Sequence, residues 1–175
     1  MTTFSLVTTI LALVIFAGFV AFGAIKFGWQ KSYSAFAPKW TEAVPIDNHT
    51  HLWSIVTIVV AILLACGMIE QGEGHPLQFL GFFAPIYLII VGFTPEYQTV
   101  KKQRIIHIVG TILCALCAIV WTYFAAPAAV LIVPFIGAWV AGIVTKTIER
   151  SLIFWSEMGM FAAVFAARLI GGLAL

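Results

Sequence analysis

The stretch IIHIVGTILCALCAIVWTYFAAPAAVLIVPFIGAWVAGIVT, residues 105–145, contains no Asp, Glu, Lys or Arg. As one unbroken helix it would run for about 60 Å at 1.5 Å of rise per residue, twice the roughly 30 Å hydrocarbon thickness of a bilayer. It has to turn back, and Ala126 followed by Pro127 is where it can. Proline has no N–H to give to a helix, and its ring disfavours helical backbone in the residue before it. Two spans follow, near 105–125 and 128–146.

The same length criterion, applied outward, picks three more charge-free runs near 4–25, 52–69 and 77–94, the third with Pro76 in a favourable helix-start position, and a predominantly apolar run near 151–175. The expected architecture is all-α: a polytopic membrane protein, one domain over residues 1–175, built as a bundle of six transmembrane helices. Composition agrees, since 62% of the 175 residues are hydrophobic and only 9% charged, against roughly a quarter charged in a soluble domain. The first run is expected to be a retained helix rather than a cleaved leader. No basic segment precedes it, its apolar stretch is too long, and Lys26 stands where small residues would mark a cleavage site.

Nine Lys and Arg against seven Asp and Glu leave a net charge of +2, too small and too scattered for a nucleic-acid footprint. The basic residues are nevertheless asymmetric. Lys26, Lys31, Lys39, Lys101, Lys102, Arg104, Lys146 and Arg150 all fall in loops on one side of the six-span arrangement, and only Arg168 falls toward the other. By the positive-inside bias the first side is cytoplasmic and both termini are not. The sequon at Asn48, His49 and Thr50 then lies on the cytoplasmic side and is inert. Trp29, Tyr33, Phe36 and Trp40, interspersed with lysines between the first two spans, read as an aromatic belt on the headgroups. Cys66, Cys114 and Cys117 sit in apolar runs and read as small buried hydrophobes.

Spans associate through small residues, and Ala163, Ala167 and Gly171 in the last span, with Gly137, Ala141, Ala138 and Gly142 in the fifth, are expected to bring those two helices together. Pro85 and Pro134 sit within spans and are expected to kink them or release a carbonyl.

Ionisable groups within spans are costly and therefore point to function. Glu157, about 9 Å into the last span, is expected to face protein. Arg168, eleven residues on, returns to nearly the same face but about 16 Å away, so the two cannot pair, and Arg168 is expected to snorkel to the outer headgroups. His107, Thr111 and Cys114 form one mildly polar helical stripe pointing into the bundle. Asp47, His49 and His51 alternate before the second span; in extended chain they share one side, and with His107 they form a candidate metal set. A haem is not expected, because only His107 among the histidines lies within a span. Ser32, Ser34 and Ser54 lack the local context of a nucleophile.

The most distinctive text is Gly92-Phe93-Thr94-Pro95-Glu96-Tyr97 followed by Gln103-Arg104-Ile105-Ile106-His107. With Ser32-Tyr33-Ser34 and Phe154-Trp155-Ser156-Glu157 it resembles small multi-pass bacterial and phage-borne membrane proteins grouped only as domains of unknown function. The resemblance implies a six-helix bundle in a bacterial inner membrane, adds Pro95, Glu96, His107 and Glu157 as candidate residues, and implies no reaction.

A small transporter or channel-like protein is the favoured reading, with Glu157, His107, Thr111 and Arg168 as its intramembrane polar site. One alternative is a membrane-embedded enzyme that uses a metal to act on lipid. Another is a non-catalytic assembly protein whose small-residue faces bind a second copy or another membrane protein.

Overall fold

A computed structural model describes residues 2–43 and 51–173. Every regular element among them is helical: α1 (Thr3–Phe27), α2 (Phe36–Ala43), α3 (Leu52–Gln71), α4 (Phe79–Gly92), α5 (Lys101–Ala125), α6 (Ala128–Val144) and α7 (Ile148–Leu173). A single 3-10 turn at Tyr33–Ala35 precedes α2. Four helices, α1, α3, α5 and α7, are long and apolar enough to cross a bilayer.

The other two expected spans are shorter than the sequence pattern suggests. α4 has 14 residues, about 21 Å of helix, because both ends of the 77–94 run are spent on turns. On the way in, Gln78, Leu80 and Gly81 donate backbone hydrogen bonds three residues back, to His75, Leu77 and Gln78. On the way out, the Thr94 hydroxyl folds onto the Val91 carbonyl at 2.7 Å. α6 has 17 residues and ends before Lys146, whose φ of 55° stops the helix. The reversal between α5 and α6 falls at the expected place: Ala126 is extended (φ −151°, ψ 163°) and Pro127 caps α6.

α1 runs from a Thr2 cap, whose side chain accepts from the Ser5 N–H at 3.3 Å, to Gly28, whose φ of 72° supplies the left-handed stop that a Cβ would resist. Its buried Thr8 and Thr9 hydroxyls donate back to the Ser5 carbonyl at 3.1 and 2.7 Å, so they need no partner elsewhere.

The aromatic segment after α1 is not a headgroup belt. Tyr33, Phe36 and Trp40 are buried, and only Trp29 of the four is exposed. Trp40 stacks on Phe19 with ring centroids 4.9 Å apart, and Phe36 slides over Gly23, where a Cβ would lie 3.1 Å from its ring. The segment is thus a plug in the lysine-bearing end of the bundle, because three large rings bury more apolar surface against α1, α3 and α7 than they could at a headgroup. Two backbone bonds stitch it to α7. Ser151 is non-helical (φ −134°, ψ 30°), which frees the Phe154 N–H to donate to the Lys31 carbonyl at 3.1 Å. One turn further along α7, Glu157 accepts from the Tyr33 N–H at 2.6 Å.

α6 packs chiefly on α7 and only lightly on α5. The expected pairing of the last two helices is present, with Gly142 at the contact as expected and Gly159, outside the expected set, as its counterpart on α7. Gly142 lies under Trp155 and Gly159 under Phe135, whereas Gly137 has open space around it. Ala163 and Ala167 are fully buried, but Ala167 and Gly171 face α3: the Ala167 carbonyl accepts from Gln71 Nε2 at 3.1 Å, and a Cβ on Gly171 would strike the Gln71 side chain.

Arg168 corrects a second expectation, for it does not snorkel and is fully buried. Its guanidinium donates to Gln71 Oε1 and to Ser5 Oγ at 3.4 Å. Gln71 in turn donates to the Ala125 carbonyl at 3.1 Å, and the Thr2 backbone N–H and hydroxyl both donate to the Glu70 carboxylate. α1, α3, α5 and α7 therefore meet around one cation at the end of the bundle away from the lysine-bearing loops. The space for it is Gly67, where a Cβ would overlap the guanidinium. Gly67→Ala is expected to lose about 1–3 kcal/mol by overpacking, whereas Gly137→Ala is expected to stay within about 0.5 kcal/mol; thermal unfolding of the two variants in lipid nanodiscs measures the contrast.

Candidate functional site

Between α3, α4, α5 and α7, with Phe135 of α6 at one side, lies a cavity of about 420 Å³. Its walls are apolar: Ala61, Leu64 and Met68 from α3, Ala84, Pro85 and Leu88 from α4, Ala115 and Ala118 from α5, Phe161 and Val164 from α7. The small residues make the room. Pro85, expected as a kink, contributes its ring to this wall. The cavity is not sealed; Leu152 and Ile153 line it and are also exposed on the outside of α7.

Six polar side chains line it: Tyr33, Ser34, His107, Thr111, Ser156 and Glu157. Glu157, His107 and Thr111 are thus together on one cavity, and Cys114 follows them on the α5 stripe. Arg168 is not among the lining residues; it belongs to the buried Gln71 and Ser5 network described above. Of the candidate metal set, Asp47 and His49 lie outside the described residues. His51 Nδ1 is within hydrogen-bond distance of Thr41 Oγ1, at 2.6 Å, while His107 bonds Thr94, so the two rings are held by separate partners. Among the described residues no three His, Cys, Asp or Glu side chains converge. Pro95 and Glu96 turn the chain into α5. Glu96 is exposed, and its N–H donates to Gln103 Oε1 at 3.0 Å, away from the cavity walls.

The hydrogen-bond chains fix where protons sit. The Thr94 hydroxyl has one proton and gives it to the Val91 carbonyl at 2.7 Å, so the 2.8 Å contact with His107 must be donated by Nδ1–H, leaving Nε2 the acceptor. Likewise Thr57 Oγ1 donates to the Trp53 carbonyl at 2.8 Å, so across their 3.0 Å contact the Tyr33 hydroxyl is the donor. Tyr97 joins the two halves: its ring stacks on His107 at 4.0 Å and 11°, and its hydroxyl accepts from Ser34 Oγ at 3.3 Å. Trp53 closes the other side of His107 with ring centroids 6.3 Å apart. The Thr111 hydroxyl oxygen is buried without a hydrogen-bond partner among the described residues.

Three segments of distinctive sequence, at 32–34, 92–107 and 154–157, thus meet at one place. Tyr33 joins the first of these to the last through its N–H, and Ser34 joins the first to the second through Tyr97; in the sequence Tyr33 reads equally well as a headgroup anchor, because it is an aromatic ring between lysines. Its placement follows from the Ser151 break, which no proline or glycine announces.

This chain matches no protein-family model, and no curated protein or solved structure is similar to it. The cavity and its polar groups therefore stand on their own geometry.

Burial holds the Tyr33 phenol well above the ordinary tyrosine range by penalising the phenolate. The Thr57 hydroxyl, able to turn toward a phenolate, offsets part of this, and the neighbouring Glu157 carboxylate adds to it. Tyr33 is therefore expected to stay protonated at about pH 11, one unit above the usual midpoint. The wild-type minus Tyr33→Phe difference in an ultraviolet phenolate titration should be absent there. A full tyrosinate signal in that difference at this pH would contradict the burial.

Proposed function

We propose that this chain is a six-span integral membrane protein of small-transporter type, whose cavity receives a solute with an apolar body and a polar group. In this reading α4 and α6 are short spans beside the four long ones, and the lysine-bearing end faces the cytoplasm. The observation that carries it is the cavity of about 420 Å³ with apolar walls and a carboxylate, Glu157, among its lining groups. Apolar pockets with a few convergent polar groups are the usual form of a small-molecule site. A carboxylate kept within a span is costly unless it serves a ligand or an ion path.

The open flank at Leu152 and Ile153 supports entry from the lipid rather than along an aqueous channel. A solute arriving that way keeps its apolar body in apolar surroundings throughout, and only its polar group needs a partner at the end of the path. Glu157 supplies that partner from a rigid place, because the Tyr33 N–H holds one carboxylate oxygen at 2.6 Å.

The test is a panel of cationic, neutral and anionic apolar solutes applied to protein in nanodiscs, followed by flux in proteoliposomes for those that raise the unfolding midpoint, as ligands of the folded state must. Saturable flux is expected for at least one of them. It should disappear in Ala118→Trp, which fills the cavity, and fall at least tenfold in Glu157→Gln. Flux that persists unchanged in both variants would refute the assignment.

A further inference from the structure

We propose that the cavity selects organic monocations: an ammonium or phosphonium centre carried on an apolar body, with Glu157 as its counter-ion. This inference rests on the reading of the cavity as a solute site and names the class of solute.

The charge of the lining decides the class. Among the described residues Glu157 is the only formally charged side chain on the walls, and no Lys or Arg lines them. Among the described residues its sole hydrogen bond is the one from the Tyr33 N–H, to Oε2, so Oε1 remains an acceptor without a donor. The other groups point the same way. His107 carries its ring proton on Nδ1, committed to Thr94, and its second nitrogen is an acceptor. The Tyr33 hydroxyl proton is committed to Thr57, and the Ser156 hydroxyl donates to the Leu152 carbonyl at 2.9 Å. An anion entering this cavity would meet a carboxylate and few free donors. A cation would meet an acceptor set of matching sign, with the rings of Tyr33, Phe135 and Phe161 on the walls to face it. The single full positive charge buried elsewhere in the bundle, Arg168, is not on these walls and is engaged by Gln71 and Ser5.

Selectivity by charge sign separates this inference from simple apolar binding. In water-excluded surroundings an ion pair gains far more than in water, and the wrong sign is repelled as strongly. Two sources share the chemistry: a free lipophilic cation, or the protonated amine of a lipid headgroup.

The experiment uses tetraphenylphosphonium and tetraphenylborate, ions of the same shape and opposite charge, in equilibrium binding to the full chain in nanodiscs. Saturable phosphonium binding near one per chain is expected, with borate at least tenfold weaker. Glu157→Gln should weaken phosphonium at least tenfold and narrow the gap between the two ions. The amide keeps an acceptor for the Tyr33 N–H, so the stitch survives and only the charge is lost; Glu157→Asp should restore part of the preference. Competition by phosphatidylethanolamine added to phosphatidylglycerol discs would support the inference and assign the natural cation to a headgroup amine. Binding indifferent to it would support the inference and assign a free cation. Equal binding of both ions, lost together in Ala118→Trp, would overturn the charge preference and leave the cavity site standing. Binding of both that survives Ala118→Trp would overturn the site as well.

Discussion

A cation buried among apolar helices is tolerable only where its donors find acceptors, and the arrangement around Arg168 is the condition on which the rest of this bundle depends. The guanidinium reaches Ser5 on α1 and Gln71 on α3, and Gln71 passes the connection to backbone carbonyls of α5 and α7. Four helices, three with their C-terminal ends here and α1 with its N-terminal end, are thereby held in register. For helices long and apolar enough to cross a bilayer, where lipid supplies no hydrophobic driving force between them, contacts of this kind and the close approach allowed by Gly67 and Gly171 would fix their positions. Among the described residues the opposite end has no buried Lys or Arg. It is closed by a plug of aromatic rings and by two bonds from the loop to α7, one of them possible only because Ser151 interrupts the helix.

These two closures explain the cavity. α3, α5 and α7 are tied at the Arg168 end, with α4 packed against α3 and α5, and the Tyr33 end is covered; the small side chains facing one another in between leave space that neither closure can fill. Glu157 belongs to the plug through its bond to Tyr33 and to the cavity through its position on α7. One side chain therefore couples the loop to the site.

Much of this was legible in the residues. The charge-free run of 105–145 forced a reversal, and Pro127 located it. The spacing of His107, Thr111 and Cys114 placed all three on one wall, and the cost of a carboxylate in a span marked Glu157. What misled was also physical. Periodicity and hydropathy record how apolar a segment is but not whether its polar atoms have partners. Arg168 near a span end and Tyr33, Phe36 and Trp40 between lysines therefore looked like groups at a membrane surface, although Arg168 and Tyr33 find hydrogen-bond partners inside and the rings of Phe36 and Trp40 are buried there. The 77–94 and 128–146 runs were apolar over a full span length, yet turns consumed their ends, which a hydropathy pattern does not register.

The sequence by itself determined an all-helical chain with at least four helices able to cross a bilayer, the place where α5 turns into α6, and the few ionisable residues that an apolar medium must accommodate. Those depend on local quantities: apolar length, missing N–H groups and charge. Only the tertiary structure decided that Arg168 closes one end and Tyr33 the other, that Gly159 rather than Gly171 meets α6, and that His107, Thr111 and Glu157 share a cavity from which Arg168 is absent. Each of these turns on which helix lies beside which, and hydrogen bonds between residues 5 and 168 or 33 and 157 leave no trace in local sequence.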